Sequence, residues 1–317
     1  MRKPALIALT AATLLIVASL AALVFLSAST SDHPFADPED ARCNAPNVTV
    51  GQSSASESHR ELDVRFVCAG ARIAGTLNLP PGDGPFPGVV WVHGAGESTR
   101  LPYDGTPLVQ RLVQAGIAVL SYDKRGVGES EGECCPGDYG QFNLIAADVD
   151  GALAALGSRP EIDANRLGLL GASQAGWVVP LAAARSEVPV AFTALVDAPA
   201  VSSGAEDLYS QKTGEQGSLL RLASFVRTAG GLRTPGPAGF DPRPYLERLQ
   251  MPGLWLYGAA DRSQPTTDDV DVLTRLKAGG KDFTVLVYPD AGHGLLDVPP
   301  SDPRALPQVV QWIEAQL

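Results

Sequence analysis

Short apolar runs, separated by Gly, Pro and charged residues, recur along this chain from Val64 onward. Val64–Cys68 and Ile73–Leu79, joined by Ala69-Gly70-Ala71, predict an opening antiparallel hairpin. After the Pro/Gly loop Pro80–Pro87, the run Gly88-Val89-Val90-Trp91-Val92 predicts a buried strand that ends at His93. Similar strand-like runs follow at Ala118–Tyr122, Leu167–Leu170, Val190–Val196, Leu254–Tyr257 and Phe283–Tyr288. Helical segments fall between them. Pro107–Ala115 precedes Gly116, and Phe142–Leu156 places Leu144, Ile145, Val149, Leu153 and Leu156 at helical spacing. Trp177–Ala184 and Pro307–Leu317 complete the set. Strand and helix alternate, which predicts an α/β fold: a doubly wound, mostly parallel sheet with helices on both faces. Ligands on such sheets sit beyond the carboxyl ends of the strands.

Two stretches break this rhythm. Ala198–Arg248 lacks a clear buried strand and contains Ser202-Ser203-Gly204 and Thr234-Pro235-Gly236-Pro237. Within it, Leu219, Leu220, Leu222, Phe225 and Val226 fit one amphipathic helix. The other stretch is the start of the chain, where Met1-Arg2-Lys3 precedes an uncharged run from Pro4 to Ala28. That run fits a signal peptide or a single membrane-spanning helix, and its length favours an anchor through residues 5–28. Ser27-Ala28-Ser29 offers small residues for cleavage. Both alternatives export the rest of the chain, and Arg2 and Lys3 stay in the cytoplasm. The expected organisation is a hydrophobic segment over 1–30, a polar linker over 31–60 and one α/β domain over 61–317.

The formal net charge of -11 argues against a nucleic-acid partner, which requires clustered Lys and Arg. A hydrophobic content of 45% suffices for one large core. The cysteines are Cys43, Cys68, Cys134 and Cys135, without the Cys-x-x-Cys spacing of a zinc site. Export makes disulfides possible: Cys43 with Cys68 would tie the linker to the first strand, and the adjacent pair would bridge only with strain.

The chemistry concentrates where apolar runs end. Gly171-Ala172-Ser173-Gln174-Ala175-Gly176 follows Leu167–Leu170 and precedes a helix, so Ser173 sits on a strand-to-helix turn between small residues. Such a turn is sharp and lifts the hydroxyl toward a cleft. A serine hydroxyl needs a base, and the base needs an orienting acid. Asp261 follows the run ending at Tyr257, and His293 follows the run ending at Tyr288. Of the other histidines, His33 lies in the linker, His59 precedes the core and His93 closes an earlier strand.

In these positions and this order, Ser173, Asp261 and His293 resemble the catalytic residues of the α/β-hydrolase family, over roughly Val64 to Leu317. One departure is Ala175 where the family usually has glycine, with Gly176 one place later. The hairpin Ile73-Ala74-Gly75-Thr76-Leu77 before Pro87-Gly88-Val89-Val90 is similar to dienelactone-hydrolase-like and prolyl-oligopeptidase-like members. The resemblance implies an oxyanion hole formed by the N–H groups of Gln174 and of Ala95, the latter within His93-Gly94-Ala95-Gly96. His93 would shape that loop. Asp197 competes with Asp261, because some members carry the acid there; Asp290 reads as a turn residue. Segment 198–248 would form a cap. Asp123-Lys124-Arg125-Gly126-Val127-Gly128-Glu129-Ser130 resembles the family's Asp-x-Arg-Gly-x-Gly-x-Ser loop and is taken as structural. The implied activity is hydrolysis of small acyl esters through an acyl-enzyme, with no metal or organic cofactor. A thioesterase or peptidase stays open, as does a non-catalytic binding protein on the same fold.

Overall fold

The computed structural model of the chain describes residues 41–43, 48–133, 141–213 and 239–317. The expected hydrophobic segment, the cap helix over 219–226 and the pair Cys134–Cys135 lie outside the described residues. Among the described residues no helix is long and apolar enough to cross a membrane.

The expected alternation folds into one nine-stranded sheet in the order β1-β2-β3-β5-β4-β6-β7-β8-β9. Strands β2 (Arg60–Cys68) and β3 (Ala71–Leu79) form the predicted hairpin, turning through Ala69 and Gly70, both in the left-handed region. β3 then pairs antiparallel with β5 (Ala118–Tyr122). From there β4 (Phe86–Val92), β6 (Ile162–Ala172), β7 (Phe192–Val196), β8 (Gly253–Gly258) and β9 (Phe283–Tyr288) continue the sheet in parallel.

The central strands are buried on both faces, and their alternation sorts side chains between two cores. Val90 and Val92 of β4, Leu120 of β5 and Trp255 and Tyr257 of β8 face one core. That core is covered by α2 (Phe142–Gly157), α3 (Ala175–Ala183) and α6 (Thr266–Ala278). Val89, Trp91, Val119, Leu254 and Leu256 face the other, under α1 (Pro107–Gln114) and α7 (Ala305–Glu314). Each large aliphatic side chain held in such a core contributes roughly 1.5–3 kcal/mol. Because the strands on both sides of the crossover run parallel, the carboxyl ends of β4 through β9 share one edge, where the candidate residues lie.

The structure corrects the linker. Thr49–Ala55, assigned to residues 31–60, is strand β1, paired antiparallel with β2 at the end of the sheet. Its sequence TVGQSSA carries no apolar alternation, because it is an outer strand with little to bury. The part of segment 198–248 that is described contains α4 (Ser203–Thr213) and α5 (Arg243–Leu246). Helix α4 lies against the loop after β8: the Tyr209 hydroxyl donates to the Asp261 carbonyl at 2.9 Å. Cys43 and Cys68 are free thiols. They lie side by side, and the neighbouring Cys43 and burial both push the Cys68 thiol far up.

Candidate active site

β6 passes into α3 through Ser173 and Gln174, and Ser173 has φ 53°, in the left-handed region. For a residue other than glycine that conformation costs about 1–3 kcal/mol and persists only where the surroundings enforce it. They do so here from both sides. The Ser173 N–H donates to the Val196 carbonyl at 3.1 Å, and the Ser173 carbonyl accepts from the Gly176 N–H at 2.9 Å. The surrounding residues must be small. A Cβ on Gly171 would stand 2.5 Å from the Ala175 methyl, and one on Gly176 would stand 2.3 Å from the Pro199 carbonyl oxygen. The departure at Ala175 is thus absorbed by Gly171, which leaves room for its methyl group.

Asp261 and His293 come together in the loops after β8 and β9, at the same edge of the sheet as this turn. The Asp261 carboxylate is buried, with Oδ1 accepting from the N–H groups of Ser263 (2.7 Å) and Gln264 (3.0 Å). Its Oδ2 lies 2.8 Å from His293 Nδ1. A carboxylate in that position fixes the tautomer of the neutral ring: Nδ1 carries the proton and Nε2 the lone pair. Burial disfavours the charged imidazolium, but the Asp261 hydrogen bond and the charges of Asp261, Asp197 and Asp297 outweigh it and raise His293 to about 9.

The rival acid has a different place. Asp197 directly follows β7 with φ 47°, and its Oδ2 accepts from the backbone N–H groups of Gly294 (2.9 Å) and Leu295 (2.8 Å). It therefore pins the main chain just after His293, while Asp261 holds the ring. Its Oδ1 has no hydrogen-bond partner among the described residues. Burial, working against the pull of His293 and two N–H groups, pushes Asp197 up to about 6. The donor atoms of Asp197, Asp261 and His293 all lie within 4.8 Å of one another, a spacing that a cation could also use. The other competitor, Asp290, is an exposed turn residue.

The loop after β4 also approaches the serine. A Cβ on Gly94 would stand 3.3 Å from Ser173 Cβ. His93 is buried, with Nε2 2.5 Å from the Tyr122 carbonyl and Nδ1 3.2 Å from Trp91 Nε1. An indole nitrogen only donates, so Nδ1 accepts and Nε2 carries the proton. Burial lowers His93 to about 4, which keeps it neutral. Ala95 is exposed at the tip of this loop, and Gln174 is buried one residue before α3.

Residues 123–130 knit β5 to its neighbours. Asp123 Oδ2 accepts from Arg100 Nη2 and the Glu129 N–H, both at 2.9 Å. The Ser130 hydroxyl donates to the Asp123 carbonyl at 2.7 Å and accepts from the Ala74 N–H at 2.9 Å. Arg125 makes a bidentate, buried pair with Asp148 of α2, at 2.7 and 2.9 Å.

A family model described as serine aminopeptidase, S33, matches residues 85–227, from β4 through the turn at Ser173. The chain has the α/β-hydrolase fold, and over that span it is similar to this family. Esterase EstD of Thermotoga maritima is 26% identical over 259 residues, which is 75% of this chain and 60% of EstD. A mouse mitochondrial acyl-coenzyme A thioesterase 2 is 28% identical over 233 residues, 70% of this chain and 48% of that enzyme. The chain therefore spans no more than 60% of the length of either relative. Acetyl xylan esterase 1 from Thermoanaerobacterium sp. JW/SL YS485 shares the fold, with TM-score 0.65 and 20% identity over 86% of this chain and 89% of that one.

Proposed function

We propose that this protein hydrolyses carboxylic esters, with Ser173 as nucleophile, His293 as general base and Asp261 as its orienting acid. The observation that carries this reading is the Asp261–His293 hydrogen bond at the same sheet edge as a serine held at φ 53°. Ser173 Oγ attacks the acyl carbonyl carbon as His293 Nε2 takes its proton. The carbonyl π pair becomes an oxyanion, received by the N–H groups of Ala95 and Gln174 and by the positive end of α3. The oxyanion collapses, the ester C–O bond breaks, and His293 returns the proton to the departing alcohol. Water then repeats the sequence on the acyl-enzyme, releasing the acid and restoring Ser173. Asp261 stays ionised and stabilises the imidazolium formed in each half-reaction.

EstD and the acetyl xylan esterase favour an ester substrate; the thioesterase relative favours a thioester, which the same steps would cleave. Purified protein assayed on 4-nitrophenyl acetate, longer acyl esters, acyl thioesters and peptides separates these. We expect turnover of short acyl esters and its loss in Ser173→Ala with an unchanged melting temperature. Turnover retained in that variant would overturn the assignment.

A further inference from the structure

Lys124 is the member of the 123–130 segment that turns toward the serine. Its side chain is buried, with 3% of the residue exposed, and Nζ donates to the carbonyls of Gly94 (2.6 Å) and Gly96 (3.0 Å) and to Gln174 Oε1 (3.0 Å). Its own N–H donates to the Ser98 carbonyl at 3.0 Å. One ammonium group thus ties together the two segments that carry Ala95 and Gln174. Resting on the ester-hydrolase reading, we propose that Lys124 is a positioning residue that aims the oxyanion-binding N–H groups of Ala95 and Gln174 and polarises that of Ala95.

The argument is one of peptide geometry. In a trans peptide the carbonyl and the following N–H point in opposite directions. Drawing the Gly94 carbonyl onto Nζ therefore turns the Ala95 N–H away from Lys124, on the loop whose Gly94 faces Ser173 Cβ. Holding Gly96 in the same way stops the Gly94–Ala95 peptide from flipping, a motion that flanking glycines would otherwise permit. A carbonyl bonded to a cation also polarises its own peptide, which makes the attached N–H a stronger donor. The Gln174 side chain accepts from the same cation, so the start of α3 and the loop after β4 are held at a fixed separation. Nothing here requires Lys124 to touch substrate. The charge sits on the carbonyl side of the Gly94–Ala95 peptide, opposite its N–H, where it acts before and during the reaction without reorganisation.

The test compares wild type, Ser173→Ala, Lys124→Gln, Lys124→Arg and Gln174→Met for 4-nitrophenyl acetate turnover and for inhibition by an alkyl trifluoromethyl ketone, which forms an anionic hemiketal on an activated serine. Melting temperatures are recorded for each. In Lys124→Gln we expect kcat to fall about 10²-fold and the ketone to bind weaker by a similar factor, with KM little changed. That pattern marks an interaction made in the transition state. Lys124→Arg, which keeps the charge and the donors, should recover part of kcat. A folded Lys124→Gln with unchanged kcat and ketone affinity, or with a loss confined to KM, would overturn the proposal. If both Lys124 variants unfold, Gln174→Met decides: a fall in kcat and ketone affinity at constant KM supports the proposal, and unchanged values overturn it. An inactive wild type would overturn the ester-hydrolase reading and this inference with it, whereas the outcomes above with an active wild type bear on Lys124 alone.

Discussion

At the scale of single residues, the proposed base His293 sets the pH behaviour expected of the site. Three carboxylates, Asp261, Asp197 and Asp297, favour its protonated form and raise it to about 9. A base acts only when deprotonated, so kcat/KM should rise with pH along a limb displaced to the alkaline side of an ordinary histidine. Replacing Asp197 by Asn removes one of those charges while keeping a side chain that tolerates φ 47° and still accepts from Gly294 and Leu295. We predict that Asp197→Asn moves the limb to lower pH. Because Asp197 itself titrates near 6, the displacement belongs to the range above that pH. Rate profiles of the two proteins check it, and coincident limbs would contradict it. The placement of Ser173, Asp261 and His293 at strand ends was legible in the sequence because chemically distinctive residues stood just after apolar runs. The division of labour between Asp261 and Asp197 was not. What separates a ring partner from a backbone anchor is which atom lies within reach, and no spacing in the chain encodes that. Lys124 escaped for a similar reason, since its partners are backbone carbonyls and a side-chain amide in segments distant in sequence.

At the scale of elements, legibility followed burial. The doubly buried strands β4, β5, β7 and β8 are contiguous apolar runs, and their predicted bounds differ from the observed ones by at most two residues; β9, half-exposed at the end of the sheet, keeps the same apolar character and its predicted bounds. β6 begins earlier than expected, at Ile162, because its first turns Asp163, Ala164 and Asn165 lie in a half-buried or exposed stretch. Helix α6 was not anticipated: Asp268, Asp269 and Asp271 break its apolar stripe, and Asp269 is buried instead to accept from the N–H groups of Ala200 and Val201. The loop after β5 was taken as structural, and its bonds to Arg100, Ala74 and Asp148 bear that description out, apart from Lys124. The buried Arg125–Asp148 pair joins this loop to α2. Arg125→Met would leave the Asp148 carboxyl without its partner in a dry site, which typically costs about 3 kcal/mol. Chemical denaturation of the variant measures that loss, and a change below about 0.5 kcal/mol, the range of ordinary surface substitutions, would show that the pair does not fasten the loop.

At the scale of the molecule, the sheet carries candidate residues from β4, β6, β7, β8 and β9 to one edge, so that short loops suffice to assemble them. The same burial that builds this edge lifts several acids. Asp150 is raised to about 7, Asp269 to about 8 and Asp197 to about 6, each mainly by burial. A carboxyl raised in the folded state binds protons more tightly there than when unfolded. Its favourable contribution is complete below the unfolded value near 4 and disappears as pH rises through the folded value. His293, raised to about 9, adds a contribution present below about 6.5 and lost as pH climbs through 9. Both trends have the same sign, so the melting temperature should fall as pH is raised from about 6 to 9, and a scan of melting temperature against pH that rose over this window would contradict the assignment.

The central claim is that Ser173 is an activated nucleophile, and covalent trapping tests it most directly. The purified protein would be treated with a fluorophosphonate, digested and mapped by mass spectrometry, beside Ser173→Ala and Asp261→Asn. The account predicts a single adduct on the peptide bearing Ser173, absent from Ser173→Ala and formed far more slowly in Asp261→Asn. A folded wild-type protein that takes up no label, or takes it up at another residue, would contradict the account.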